Sequence, residues 1–312
     1  MKGLELCEKY YEEYGKPMLE RDFPEIKDAL AAGLVGSGSE CFGYDDEIST
    51  DHDFEPGFCI FVPDSFDDRK TLFRLERAYA KLPSEFMGYK RSVMNPAGGS
   101  RRGVMYTGDF YASKTGARGG FSSEKDFFSV PESYLAEAVN GKVFSDPSGE
   151  FSRIRASLSD IPMNVRLKKL AGHLASCAQS GAYNYSRCLS HGETGAAQLA
   201  AIGFADHAMG CAFALSGKYR PYYKWSFRAL RELPVLSGTA DVLEFLISSD
   251  NSAKTSETKT ELIYDVSDMI IKELKSARLS DAVCGDLEKH AFSVNDRITD
   301  PEIRNMSIFS GI

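Results

Sequence analysis

A C-x-x-C, a basic surplus, internal repeats and an apolar run in the opening residues are all missing from this chain of 312 residues, and each absence argues against something. Its seven cysteines are scattered, odd in number and without a C-x-x-C, which argues against a disulfide framework or a zinc site. Such a pattern suits reduced thiols. Lys and Arg total 37 against 45 Asp and Glu, for a net charge of −8. A broad nucleic-acid footprint needs the opposite balance, so nucleic acid is not an expected partner. No repeat and no low-complexity tract breaks the sequence, which argues against solenoids and tethers. The opening residues, MKGLELCEKYYEEYG, are charged and amphipathic and lack the apolar stretch of a signal peptide. A cytoplasmic protein without a membrane segment is the expectation.

Enough apolar material is present for an ordinary core: 43% of residues are hydrophobic and 12% aromatic. The most apolar run, residues 196–215, is long enough to raise the question of a membrane. It carries Asp206, His207 and several small residues, and reads as a buried helix of a helical domain. The periodicity predicts a helix over 3–20, a short one over 22–30, and another from 64 to 81 with Leu72, Phe73, Leu75 and Tyr79 on its apolar face. A strand is expected over 103–107 and a helix over 131–139. From residue 150 the pattern is helical almost throughout, with helices expected near 150–158, 163–189, 193–216, 221–232, 239–249, 257–277 and 283–291. Residues 251–260, NSAKTSETKT, read as a polar linker. The turn DPSG at 146–149 is the natural boundary, giving a mixed α+β domain at 1–149 and an all-α helical bundle at 150–312.

One stretch holds most of the chemistry, residues 33–63, GLVGSGSECFGYDDEISTDHDFEPGFCIFVP. It reads as strand, glycine-rich turn, short helix or loop, second strand. Gly36 and Gly38 permit positive φ and close approach of a ligand. Ser37 and Ser39 add hydroxyls, and exposed N–H groups in such a turn suit phosphate oxygens. Asp51 and Asp53 are two apart, so on an extended chain both carboxylates point the same way. Two acids on one face repel without a cation between them, and Mg²⁺ with substrate phosphates is the natural occupant. His52 points to the other face. The alternative for the Asp pair is a solvated strand end; Asp45, Asp46 and Glu47 read as charged surface on a short helix, with an outer shell of the metal site as their alternative.

A Gly-Ser turn followed by Asp-x-Asp before a strand resembles the polymerase-β-like nucleotidyltransferase superfamily. The wider text GSGSECFGYDDEISTDHDF is similar to an uncharacterised bacterial branch, a domain-of-unknown-function family with a C-terminal helical domain. AQSGAYNYSR (178–187), KYRPYYKWSFRAL (218–230) and NGKVFSDPSGEFSRIR (140–155) also look like that branch. The resemblance implies a small mixed sheet flanked by helices, a triphosphate on Gly36, Ser37, Gly38 and Ser39, and two Mg²⁺ ions, replaceable by Mn²⁺, on Asp51 and Asp53. It also implies a third carboxylate from a neighbouring strand. Asp109, after GVMYT, is the best-placed acid, with a helix N-cap as its equal alternative and Glu55 and Asp64 behind it. In the second domain Asn184, Arg187 and Lys224 are candidates for nucleotide or acceptor contacts. Gln179, Tyr183, Asn184 and Arg187 form a polar stripe that suits a cleft lining better than a core, whereas Tyr222, Tyr223 and the single Trp225, at helical spacing around the lysine, read as core aromatics.

The function implied is transfer of an NMP, AMP first, from an NTP such as ATP to a hydroxyl, with release of pyrophosphate. A small molecule or a protein side chain is the expected acceptor. The alternatives are a nucleotide-binding regulatory protein without catalysis, or one partner of a toxin–antitoxin-type pair on the same fold.

Overall fold

The computed structural model describes residues 1–46, 54–91 and 102–312. Asp51, His52 and Asp53 therefore lie outside the described residues. Chain contacts separate two compact units, Met1–Phe121 with Tyr134–Asp160, and Ser122–Ser133 with Ile161–Ile312. Helix α7, Glu150–Ser159, thus belongs to the first unit, although DPSG just before it reads as a boundary in the sequence.

The first unit is α+β. A four-stranded mixed sheet has the order β5-β2-β1-β6, with β1 at Ala31–Leu34, β2 at Cys59–Val62, β5 at Gly103–Tyr106 and β6 at Lys142–Ser145. Between β2 and β5 a small hairpin pairs β3, Glu85–Phe86, with β4, Tyr89–Lys90. Strands alternate their side chains between two faces. Accordingly Phe58, Ile60 and Val62 enter one core with Leu6, Tyr10, Leu75 and Tyr79, while Cys59 and Phe61 enter another with Phe110, Tyr111, Phe151 and Leu158. The first core is covered by α1 (Gly3–Tyr10), α2 (Lys16–Asp22) and α4 (Arg69–Ala80). The second is covered by α5 (Thr107–Thr115), α6 (Glu132–Val139) and α7. Burial on both faces explains why β1 and β2 read as unbroken apolar runs.

The register decides which loops meet. Gly33 stands opposite Cys59, Cys59 opposite Gly103, and Leu34 opposite Lys142. The end of β1 and the starts of β2, β5 and β6 therefore share one sheet edge. The end of β2, at Val62, and the end of β5, at Tyr106, lie at the other.

Several expectations shift. Asp22 ends α2, and the predicted helix over 22–30 is reduced to a 3₁₀ turn at Lys27–Ala29. Helix α4 starts later than 64, because Asp68 caps it by accepting from the amides of Lys70 and Thr71. Leu75 and Tyr79 are buried on it, but Phe73 is exposed, one position off the face they share. Strand β6 has no counterpart in the sequence reading, since four residues between two turns are too few for a periodic signal.

The second unit is helical: α8 (Met163–Cys177), α9 (Ser186–Ser190), α10 (Thr194–Ser216), α11 (Tyr223–Arg231), α12 (Ala240–Ser248), α13 (Ala253–Ser276), α14 (Leu287–Asn295) and α15 (Pro301–Arg304). The predicted helix 163–189 is interrupted by a π-helical segment, Ala178–Tyr185. Residues 253–260 are the first turns of α13 and no linker: Lys259 turns inward and donates to Gln198 Oε1 (2.8 Å), Ser249 O (2.8 Å) and Asn251 Oδ1 (3.2 Å). Helix α10 is the one described helix long and apolar enough to cross a membrane; Ala197, Ala201, Phe204, Ala208 and Phe213 on it are buried within the unit.

Candidate functional site

The glycine-rich turn follows β1 at the edge where β2 begins. Gly36 has φ 96° and Gly38 φ 127°, conformations that a side chain would strain. The turn is held from outside. The Asn140 side chain mimics a strand neighbour, accepting from the Gly36 amide and donating to the Gly36 carbonyl, both at 2.8 Å. Ser37 Oγ donates to Glu137 Oε2 (2.8 Å) and accepts from Lys114 Nζ (2.9 Å), while Lys114 also pairs with Glu137. Helix α5 brings the lysine back along the sheet from its other edge, and α6 delivers Glu137 and Asn140 just before β6. A cation, a serine hydroxyl and two left-handed glycines thus occupy one spot. Ser39 opens the short helix α3, Ser39–Phe42.

Beside the turn, Arg102 bridges Glu55 Oε1 (2.8 Å) and Glu40 Oε1 (3.3 Å), all three largely buried. Asp45 is buried too and accepts from the Gly3 amide at 2.8 Å. It is thus part of the packing, against the expectation of surface charge. Burial pushes the nearby Cys7 thiol upward, so this cysteine stays protonated.

Asp109 is placed elsewhere. It sits in the first turn of α5, after the end of β5, and Arg118 binds both Asp109 and Asp64. The Arg118 guanidinium, with the Gly108 amide at 2.9 Å, holds the Asp64 carboxyl below its ordinary value. The structure does not bring Asp109 to the Gly36 turn, and Asp109 is not the N-cap of α5 either; that position is Tyr106. A third carboxylate from this strand is therefore not found at the turn. Among the described residues no three His, Cys, Asp or Glu side chains gather to hold a metal. Among the described residues, Glu137 is bonded to Lys114, and Glu40 and Glu55 to Arg102. The two carboxylates expected to hold Mg²⁺, Asp51 and Asp53, lie outside the described residues.

Asn184, Arg187 and Lys224 belong to the second unit. Arg187 donates to the Tyr183 hydroxyl at 3.3 Å and stacks on its ring, and both side chains are exposed. Gln179 and Tyr183 are exposed and line a cavity of about 710 Å³ together with Tyr264, Phe292 and Phe309, in agreement with a cleft-lining stripe. Lys224 lies over the Trp225 ring at 5.0 Å. Tyr222 and Tyr223 are not core residues; they are exposed, with ring centroids 4.3 Å apart.

Lys114, Glu137 and Asn140 escaped the sequence reading. They are distant in sequence from the turn, and the sequence gives no signal that pairs them with it. A cavity of about 940 Å³ in the first unit, between Tyr14 and Arg77, contains none of the predicted site residues.

Comparison with known families gives one match, a domain of unknown function (DUF4037), over residues 127–226. That span covers α6 to the start of α11, including 140–155 and 178–187, and excludes the stretch 33–63. No curated protein and no solved structure matches the chain.

Proposed function

We propose that the first unit is a nucleotide-binding, nucleotidyltransferase-like module that moves an NMP, AMP first, from an NTP to a hydroxyl acceptor. The observation that carries this reading is the Lys114 ammonium hydrogen-bonded to Ser37 inside a turn with two positive-φ glycines. Such a turn binds triphosphate oxygens through backbone N–H groups, a hydroxyl and a cation. A phosphate entering it replaces Glu137 as the partner of Lys114. Asp51 and Asp53 precede β2 by a few residues and would hold the Mg²⁺, which supplies charge neutralisation to the triphosphate. In the reaction the acceptor oxygen bonds to the α-phosphorus, the α–β bridging oxygen leaves with pyrophosphate, and the hydroxyl proton passes to a base.

A second reading is favoured by one observation: Glu40, Glu55 and Glu137 are each bonded to a cation, and Asp109 is held by Arg118. Without a further carboxylate the module binds nucleotide and regulates without turnover. One experiment separates the two. Each α-labelled NTP is incubated with Mg²⁺ or Mn²⁺ and a panel of hydroxyl acceptors, beside the Asp51→Ala/Asp53→Ala variant. Metal-dependent label transfer that the variant loses supports the transferase. Saturable NTP binding without pyrophosphate release across the panel supports the regulator, and no binding of any NTP rejects both.

A further inference from the structure

The cavity that Gln179 and Tyr183 line, about 710 Å³, lies wholly within the second unit and has the size of a small-molecule site. The π-helical segment supplies those two residues, α13 supplies Tyr264, α14 supplies Glu288 and Phe292, and the stretch after α15 supplies Phe309. Local packing makes the room. Gly181 lies so close to its neighbours that a Cβ would meet the Phe204 ring at 2.4 Å and Ile263 Cγ2 at 2.9 Å. That contact fixes the π-helical segment against α10 and α13, while the small side chains of Ala178 and Ala182 keep the cavity wall low. Short π-helical turns recur at functional sites.

Four aromatic side chains at the wall stay open to solvent. Tyr183, Tyr264, Phe292 and Phe309 are between 48% and 60% exposed. No two of these rings stack on each other among the described residues. Large rings are usually spent on a core, and an exposed apolar cluster in a concavity marks a binding surface.

The charge at the site has one sign. Asp286 and Glu288 line the cavity, and among the described residues no Lys, Arg or His side chain does. Asp286 caps α14 with Oδ1, which accepts from the Glu288 amide at 2.9 Å. Neither carboxylate has an ion-pair partner among the described residues. Glu288 and Phe292 are four apart on α14, so an acid stands beside a ring, with Cβ atoms about 5–6 Å apart. Ring faces are electron-rich and attract cations in the same way as carboxylates do. Tyr183 already holds one on its ring, the Arg187 guanidinium, 5.6 Å from the centroid. An anion entering the cavity meets two carboxylates and ring faces of the same sign. An apolar cation is favoured by both.

We propose that this cavity binds a small organic cation, an alkylated amine with an apolar body. The body packs on the aromatic wall and the ammonium group is neutralised by Asp286 and Glu288. The proposal is independent of nucleotidyl transfer by the first unit.

Benzyltrimethylammonium and choline are titrated into the full chain by calorimetry. Beside them run 3,3-dimethylbutan-1-ol, the uncharged isostere of choline, and benzoate as the anion. Saturable one-to-one binding of at least one cation is expected, with the isostere about tenfold weaker than choline and no binding of benzoate. Glu288→Gln keeps the side-chain shape and removes the charge, and should weaken the cation several-fold. Tyr264→Leu keeps apolar bulk and removes the ring, with the same expected direction. Both side chains are exposed, and thermal melts check that each variant is folded. No saturable binding of either cation, equal affinity for the isostere, binding of benzoate, or undiminished affinity in either folded variant overturns the proposal.

Discussion

Two residues concentrate the energetics of the sheet edge, and both act through charge. Arg102 is 7% exposed on its side chain and bonded to two glutamates that are themselves largely shielded. Burying charge is costly, and removing one member of a buried group costs more than the group contributes when intact. Arg102→Ala takes away the cation that Glu40 and Glu55 share and should destabilise the first unit by about 3–5 kcal/mol, read as a lower urea midpoint. A loss below about 1 kcal/mol would mean that water reaches both carboxylates and that burial does not govern the group. Lys114 works differently, because its partners at the turn are exchangeable. Lys114→Gln retains a hydrogen-bond donor and loses the charge. NTP affinity should fall about 10–100-fold, the value of a charge-assisted hydrogen bond of about 1.5–3 kcal/mol. Unchanged NTP affinity would remove Lys114 from the phosphate site.

At the scale of elements, the positions with a dense local signal were legible. The apolar runs of β1 and β2, the glycine-rich turn between them, and the long helices α8, α10 and α13 all announce themselves by period or by glycine. The missed features have non-local causes. Strand β6 exists because Asn140 and Gly141 turn the chain onto β1, where Leu34 faces Lys142. The first turns of α13 hold although their residues are polar, because Lys259 finds three acceptors on other segments. The π-helical segment Ala178–Tyr185 packs Gly181 so closely that a Cβ would lie 2.4 Å from the Phe204 ring. A helical wheel drawn from the sequence assumes one period throughout, and that assumption fails across this segment.

The pH response belongs to the whole molecule, since it sums over every group whose proton affinity changes on folding. His173 and His207 are the clearest contributors. His173 faces His207, Arg220 and Lys169, and His207 faces Asp206 and Arg220. Both are held neutral when folded, whereas in the unfolded chain each takes a proton near its ordinary value of about 6.5. Their contribution is complete above that value. It declines as pH falls below about 6.5 toward the depressed folded values, because there the unfolded state binds more protons. Melting temperature should drop between about pH 7.5 and 5.5, and the drop should be shallower in His207→Gln. Equal slopes in the two proteins would show that the pair does not titrate on unfolding.

By itself the sequence determined the α+β class of the first unit and the helical character of the second, the glycine-rich turn after β1 and the chain entering β2. All of these depend on neighbours within a few residues, where period, glycine and capping act. Only the tertiary structure decided that Lys114, Glu137 and Asn140 close around Gly36 and Ser37, that Asp109 belongs with Arg118 at the other sheet edge, and that two histidines 34 residues apart meet at hydrogen-bond distance beside Gly210. Those choices follow from strand register and from which helix faces meet. They are set by packing between segments far apart in the chain, where a single sequence carries no local trace of the partner.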